Sequence, residues 1–470
     1  MTTLDHVRPA PAPVRMTGRQ RLLLVLLLGA QFTLAVDFSI LGVALPVIGG
    51  GLGFSLAHLQ WIVTAFALSA AGFTLLFGRV ADLFGRRRLF LAGMALLGLS
   101  SLAGGLATSP SVLLAARVAQ GLATAAVTPA GLALLTTSFP EGPLRARALG
   151  LNGALMSAGF TSGAILGGLL TDLLSWRWAF FVNVPVALAV LVAAPFLIAE
   201  SRPARRARLD APGAVTVTVG LLALVYGLTA AGERGWTSPV ALGSLALGAV
   251  MLVAFWFVET RAAAPLVPVR ILRRPTVVWG NLAGLIAFLT ETSLVFLMTL
   301  YLQKVLGYSA LATGLAFGVL GAGTVVGGVA GARVVGRLGT RVSLVTGFAI
   351  QATATLALVA LGDDRGWLPL LLVATFVGGV GNMVAIVAFM ITATGGLPDE
   401  EQGLATGLAT MTQQVGITMG IPVMSAVVTA RMAGQGVTVL DAVATATAAN
   451  AAVVLAGAVL AALLLPRGRA

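Results

Sequence analysis

Two carboxylates and one guanidinium stand where charge is expensive. Asp37 follows Arg21 by sixteen mostly apolar residues, which in a helix rising about 1.5 Å per residue places it about 24 Å from the basic end of its stretch. Glu291 lies at a comparable depth, about 21 Å, in a later apolar stretch. Arg117 is enclosed by a third stretch, about 9 Å from that stretch's far end at Ser111, and so shares the level of Asp37. A charge at the centre of an apolar span costs on the order of 3 kcal/mol, so it lines a pathway or meets an opposite charge. Arginine keeps its proton, and the compensation falls to an acid. An aspartate beside it can take up a proton when the two separate and release it when they meet. The alternative is a static pair that only ties helices together. Glu291 is a second proton site, a counter-charge for a cation, or a neutral hydrogen-bonded side chain.

The elements that position these groups follow from composition. Of 470 residues 58% are hydrophobic and 10% charged, far from the soluble balance of about 45–50% apolar and about 25% charged. The chain divides into fourteen apolar stretches, each near the roughly 20 residues that cross a bilayer. The expected fold is an all-α polytopic membrane protein with 14 transmembrane helices. With no cysteine and only His6 and His58, disulfides, thiolate metal sites and cysteine nucleophiles are excluded, and neither a metal nor a cofactor is expected. Most of the 29 Lys and Arg residues fall on alternate loops sharing a side with the N-terminal tail, among them Arg86, Arg87, Arg88, Arg273, Arg274, Arg333 and Arg341. The positive-inside rule then puts both termini in the cytoplasm. The net charge of +13 is therefore read as orientation, with the lipid bilayer and not nucleic acid as partner. The basic N-terminal tail carries no cleavage pattern and is expected to be retained.

Two basic, proline-containing linkers give a 6 + 2 + 6 layout. It comprises a cytoplasmic tail at 1–21, an N-terminal six-helix bundle at 22–199, linkers and an inserted helix pair at 200–275 (the pair at 213–258), a C-terminal bundle at 276–466 and a tail at 467–470. The halves repeat at an offset of 254 residues, where Arg79, Val80, Gly85 and Arg87 recur as Arg333, Val334, Gly339 and Arg341. At the same offset Asp37 falls on Glu291, which makes a duplicated transporter the economical reading. In the loop from Gly78 to Arg88, Gly85 permits a tight turn and Asp82 can accept from Arg86 and Arg87 or cap a helix. This is a candidate cytoplasmic gate that breaks and reforms as the halves rock, with Arg88 read as topology alone. Gly159, Gly163 and Gly167 recur every four residues beside Gly168, a spacing that lets helices approach closely. Trp176-Arg177-Trp178 fits an interfacial aromatic belt.

Taken together, these residues resemble a known family. Gly78 to Arg87 resembles the cytoplasmic signature of the major facilitator superfamily, and Arg117-Val118-Ala119-Gln120-Gly121 resembles its fourth-helix motif, whose arginine is associated with proton coupling. Gly159 to Gly168 is similar to its fifth-helix antiporter motif, with Ala164 where a proline usually stands. The segment from Asp37 to Pro46 resembles the first-helix signature of the fourteen-helix drug:proton antiporter branch, and Trp176-Arg177-Trp178 with Asn183 and Pro185 is similar to the start of its sixth helix. Thr412-Gln413-Gln414-Val415-Gly416 resembles a further family pattern, with Gln413 where arginine is common, leaving Gln413 and Gln414 as substrate-contact candidates.

The resemblance implies alternating access by two bundles around a midplane cavity, in a monomer of the bacterial inner membrane. Inward proton flow would drive export of lipophilic, cationic drugs or antibiotics, with Asp37, Arg117 and Glu291 coupling protons and no cofactor beyond the proton gradient. A dedicated exporter of one endogenous metabolite remains the nearer alternative. A membrane enzyme or receptor finds no support, because no nucleophile–base set is present and the connections, under about twenty residues, are too short for a folded module.

Overall fold

The computed structural model describes residues 16–54, 56–59, 61–139, 143–200, 210–262, 265, 269–395 and 399–465. The tails at 1–15 and 466–470, most of the basic linker at 201–209 and the side chain of Asp82 lie outside the described residues.

Among the described residues the fold is all-helical. The long helices are α1 (Gly18–Leu52), α2 (Trp61–Phe84), α3 (Arg86–Gly105), α4 (Pro110–Ser138), α5 (Pro143–Leu173), α6 (Asn183–Leu197), α7 (Ala211–Arg234) and α8 (Pro239–Arg261). They continue with α9 (Pro275–Leu300), α10 (Ala310–Leu338), α11 (Thr340–Ala357), α12 (Leu368–Thr394), α13 (Asp399–Met432) and α14 (Val439–Leu464). Twelve helices among the described residues are long and apolar enough to cross a membrane, that is, all of these except α2 and α5, with α6 counted together with the short turn before it as Trp178–Leu197. Those two are 24 and 31 residues long.

Local sequence explains where the helices start and stop. Thr17 and Gln20 form a capping box on α1, and Thr438 and Asp441 repeat it on α14, each cap contributing about 1 kcal/mol. Proline occupies the first turn of α4, α8 and α9, where its missing N–H is not needed. Gly85 and Gly339, the paired glycines of the sequence repeat, both have positive φ (107° and 77°) and both precede the first residue of a helix. The duplication thus reaches backbone conformation, at a turn that L side chains rarely adopt.

Helices α1–α6 pack together and α9–α14 pack together. The halves meet along two seams, α5 against α10 and α2 against α13. Three hydrogen bonds among the described residues join them: Gln303 Nε2 to the Val43 carbonyl (3.0 Å), the Leu311 N–H to Asp172 Oδ2 (2.9 Å), and Thr418 Oγ1 to the Ala67 carbonyl (3.0 Å). By helix position all three lie in the half of the bundle distal to the chain termini. Helix α7 lies over the α2–α13 seam, with Thr218 donating to the Gly72 carbonyl (2.7 Å) and Val217 and Leu221 packing with Ala71 and Val415. Helix α8 packs mainly on α7.

The glycine motif of α5 divides its work. A Cβ at Gly163 would lie 2.8 Å from the Val36 carbonyl oxygen, and Gly159 and Gly167 likewise press on the α1 backbone. Gly168 instead faces α10, where a Cβ would meet the Ala310 carbonyl oxygen at 2.5 Å. Three glycines therefore bring α5 onto its own half, and the fourth brings the halves together.

Candidate functional site

The site grows from α1, α3, α4 and α6, each contributing one or two polar side chains to an otherwise apolar interior. Asp37 and Arg117 have no exposed side-chain surface, and Arg117 Nη1 lies 3.2 Å from Asp37 Oδ2. Gln120, one turn from Arg117 on the same face of α4, accepts from Arg117 Nη1 (2.8 Å) and donates to Asp37 Oδ1 (3.1 Å). Asn183, at the start of α6, donates to the same Oδ1 at 2.5 Å. Ser101 Oγ on α3 accepts from both amides, at 2.8 Å from Gln120 and 3.2 Å from Asn183. Arg117 Nε donates to the Ile62 carbonyl (2.9 Å), and its guanidinium carbon lies 4.2 Å from the centre of the Phe66 ring. The carboxylate thus accepts three hydrogen bonds, one charge-assisted, which offsets the cost of burying the charge. In this conformation the pair is closed to water. Contact between Asp37 and water therefore requires movement of the helices packed around it.

Sequence reasoning placed Asp37 and Arg117 at one depth, and the structure brings them into contact. Gln120 and Asn183 stand in the sequence motifs without a role of their own, and Ser101 and Phe66 are not marked there at all. The available signal was the spacing of Arg117 and Gln120, three residues apart and therefore on one helix face.

The third charged group stands elsewhere. Glu291 on α9 forms no ion pair with a described Lys or Arg, and its neighbour is Asn382 on α12. At the repeat offset the place of Arg117 is taken by Leu371, so the duplication carried the acid but not the base. Gln413 and Gln414 on α13 are half-buried, and neither side chain makes a hydrogen bond among the described residues. Their neighbour Thr412 donates to Asn281 Oδ1 (2.7 Å).

At the terminus-proximal end, Gly78 lies near Pro129 of α4, and Gly85 lies so close to the Glu200 carboxyl that a Cβ would meet its Oε1 at 2.6 Å. Arg86 is half-buried. Arg87 donates to the Ile198 carbonyl at the end of α6 (3.1 Å), and Arg88 pairs with Glu200 at 3.7 Å. The contacts of Arg87 and Arg88 therefore stay within the N-terminal half, and Arg88 has a specific partner as well as its topological charge. Arg341 mirrors Arg87 by donating to the Ala462 carbonyl near the end of α14.

The aromatic-belt reading needs correction at one residue. Trp176 is buried, because Arg177 turns inward to donate to the carbonyls of Gly105 (2.9 Å) and Ala107 (2.6 Å) and stacks over the Trp176 ring. Trp178 is exposed as a belt residue would be. Among the described residues no group of three His, Asp or Glu is placed to hold a metal.

Residues 27–421 match the Major Facilitator Superfamily. The chain belongs to that family. It is 41% identical over 418 residues to the cephamycin export protein CmcT of Amycolatopsis lactamdurans, covering 87% of this chain and 85% of that one. It is 40% identical over 433 residues to the puromycin resistance protein pur8 of Streptomyces alboniger, covering 90% and 84%. The lincomycin resistance protein of Streptomyces lincolnensis is 32% identical over 407 residues, covering 86% and 83%. Among solved structures, the human organic anion transporter MFSD10 superposes with a TM-score of 0.60 at 17% identity, covering 95% of this chain and all of the other. This last likeness concerns the fold alone.

Proposed function

We propose that this major facilitator protein is a proton-driven exporter of lipophilic, amine-bearing antibiotics or drugs, working by alternating access in the bacterial inner membrane as a monomer. On this reading α2 and α5 complete fourteen spans, both termini are cytoplasmic, and α7–α8 is a pair inserted between two six-helix bundles. The distal, hydrogen-bonded seams then form a closed outer gate, and the Gly78–Arg88 loop with Asp82, Arg86 and Arg87 serves as the inner one.

The observation that carries the reading is the sealed Asp37–Arg117 pair, its carboxylate on α1 held by Arg117 and Gln120 from α4 and by Asn183 from α6. A pair assembled from three helices of a rocking bundle separates when those helices move. A freed carboxylate takes a proton from the outer side, and re-pairing with the always-charged Arg117 expels it. Glu291 supplies the negative charge that attracts a cationic substrate or a second proton.

The test is transport in proteoliposomes under an imposed pH gradient, comparing the unmodified protein with Asp37→Asn. Gradient-driven accumulation of an antibiotic that disappears in the variant supports coupling through Asp37, and undiminished transport by the variant removes that assignment. A second reading, a dedicated exporter of a single endogenous compound, is favoured by relatives named for single antibiotics, the cephamycin and tetracenomycin C export proteins. A substrate panel separates the two, since a profile confined to one chemical scaffold supports the dedicated exporter.

A further inference from the structure

The offset of 254 residues that relates the halves also relates two helix faces. On α2, Ala71 is buried against Val217 and Leu221 of α7, and Gly72 lies under Leu222 of the same helix. Their counterparts on α10 are Val325 and Val326, which are 53% and 48% exposed. The duplication therefore built one face twice, and α7 covers only the first copy.

The second copy is concave. Val325, Val326, Val329, Ala330 and Val334 line an open trough of about 430 Å³ along α10, and Arg333 and Arg337 close its terminus-proximal end. Val325 stands about 18 Å along the helix from Arg337 at about 1.5 Å per residue, close to half of a hydrocarbon core about 30 Å thick. Nearer the far end, Gly314 and Gly318 face Ala164 and Ile165 of α5. The trough is thus one leaflet deep, which is the reach of an acyl chain and too short for a second helix crossing the membrane.

Arg333 and Arg337 are exposed, and neither forms an ion pair or hydrogen bond among the described residues. Other arginines at this end are engaged: Arg87 and Arg341 donate to carbonyls near helix ends, and Arg88 pairs with Glu200. Residues one turn apart are neighbours on a helix face, and two adjacent guanidinium groups supply the charge and the N–H donors that a phosphate diester takes up. The counterpart of Arg337 on α2 is Leu83, so the double cation belongs to the uncovered face alone.

We propose that this trough holds an anionic phospholipid in the leaflet on the side of the chain termini. Its phosphate accepts from Arg333 and Arg337, and one acyl chain lies along Val334, Ala330, Val329 and Val325. The lipid does for α10 what α7 does for α2. This site is separate from Asp37 and Glu291 and does not rest on the export reading.

The test counts bound lipids by native mass spectrometry on the full-length protein, released from micelles doped with equal amounts of phosphatidylglycerol and phosphatidylcholine. The unmodified protein is expected to retain phosphatidylglycerol in preference. Replacing Arg333 and Arg337 together by Gln should lower that retention about tenfold. Val329→Trp, which fills the trough and leaves the charge, should lower it about as much. Replacing Arg261 and Arg273 together by Gln, two exposed cations at the same end, should change it less than about twofold. Equal loss in this control, or no loss in the Arg333 and Arg337 variant, overturns the site, because general attraction to a basic surface then accounts for the binding. No loss in Val329→Trp overturns the trough as the seat of the chain. Equal retention of both lipids overturns the selection for negative charge, and release of phosphatidylglycerol by inorganic phosphate overturns the lipid in favour of the ion alone. All the substituted side chains are exposed, so each variant is expected to fold as the unmodified protein does.

Discussion

Replacing Asp37 by Asn removes a charge and little else. The Asn Oδ1 can still accept from Gln120 and Asn183, so the volume and two of the three accepted hydrogen bonds survive, while Arg117 remains charged, fully buried and without its counter-ion. Removing one partner of a buried pair costs about 3–5 kcal/mol, most of it the burial of the charge left behind. Arg117→Met should cost a similar amount by stranding the carboxylate. The double replacement strands neither, and is expected to be at least about 2 kcal/mol more stable than the two losses added together. Equilibrium denaturation of the four proteins in one detergent measures the coupling. Additive losses would refute the argument, because they would mean that Arg117 is neutralised by something other than Asp37. All three variants should lose gradient-driven transport, so stability regained in the double variant without activity separates the scaffold role of the pair from its coupling role.

Gly163→Ala should lower the yield of folded protein, since its Cβ would press on the Val36 carbonyl at 2.8 Å, whereas Gly42→Ala, with nothing within 4 Å, should stabilise α1 by about 0.5–1 kcal/mol. Fluorescence-detected size exclusion after graded heating compares them, and equal behaviour would contradict the packing account. Asp172→Ala removes the carboxylate that caps α10 across the halves, a loss of about 1 kcal/mol. Because the chain has no cysteine, a single Val43→Cys, buried where α1 meets the C-terminal half, reports parting of the halves, and its labelling rate should rise about fivefold in the Asp172 variant; an unchanged rate counts against the gate. Arg177→Ala forfeits two charged hydrogen bonds to the end of α3, worth about 1.5–3 kcal/mol each at most. It should lower thermal stability while leaving transport by the surviving folded protein intact, and a selective loss of transport would argue against a purely structural role.

The helices were legible because apolar runs and caps are local properties, and the depth of Asp37 and Arg117 was legible because helical rise is constant. The repeat pairs Gly85 with Gly339, and both have positive φ. What the sequence did not reveal depends on rotation about helix axes. Charge marks a residue in an apolar span, but Ser101, Gln120 and Asn183 are neutral, and only packing aims them at one carboxylate. The Ile62 carbonyl that receives Arg117 Nε has no side-chain signature at all. Trp176-Arg177-Trp178 reads as a uniform belt because sequence does not show that Arg177 turns back to cap α3.

Helix α7 has a consequence for traffic within the bilayer. It covers the α2–α13 seam, while among the described residues no corresponding helix covers the α5–α10 seam. A motion that parts both seams equally would still expose the interior to lipid on one flank alone. A molecule dissolved in the membrane would thus find a side door with a fixed address.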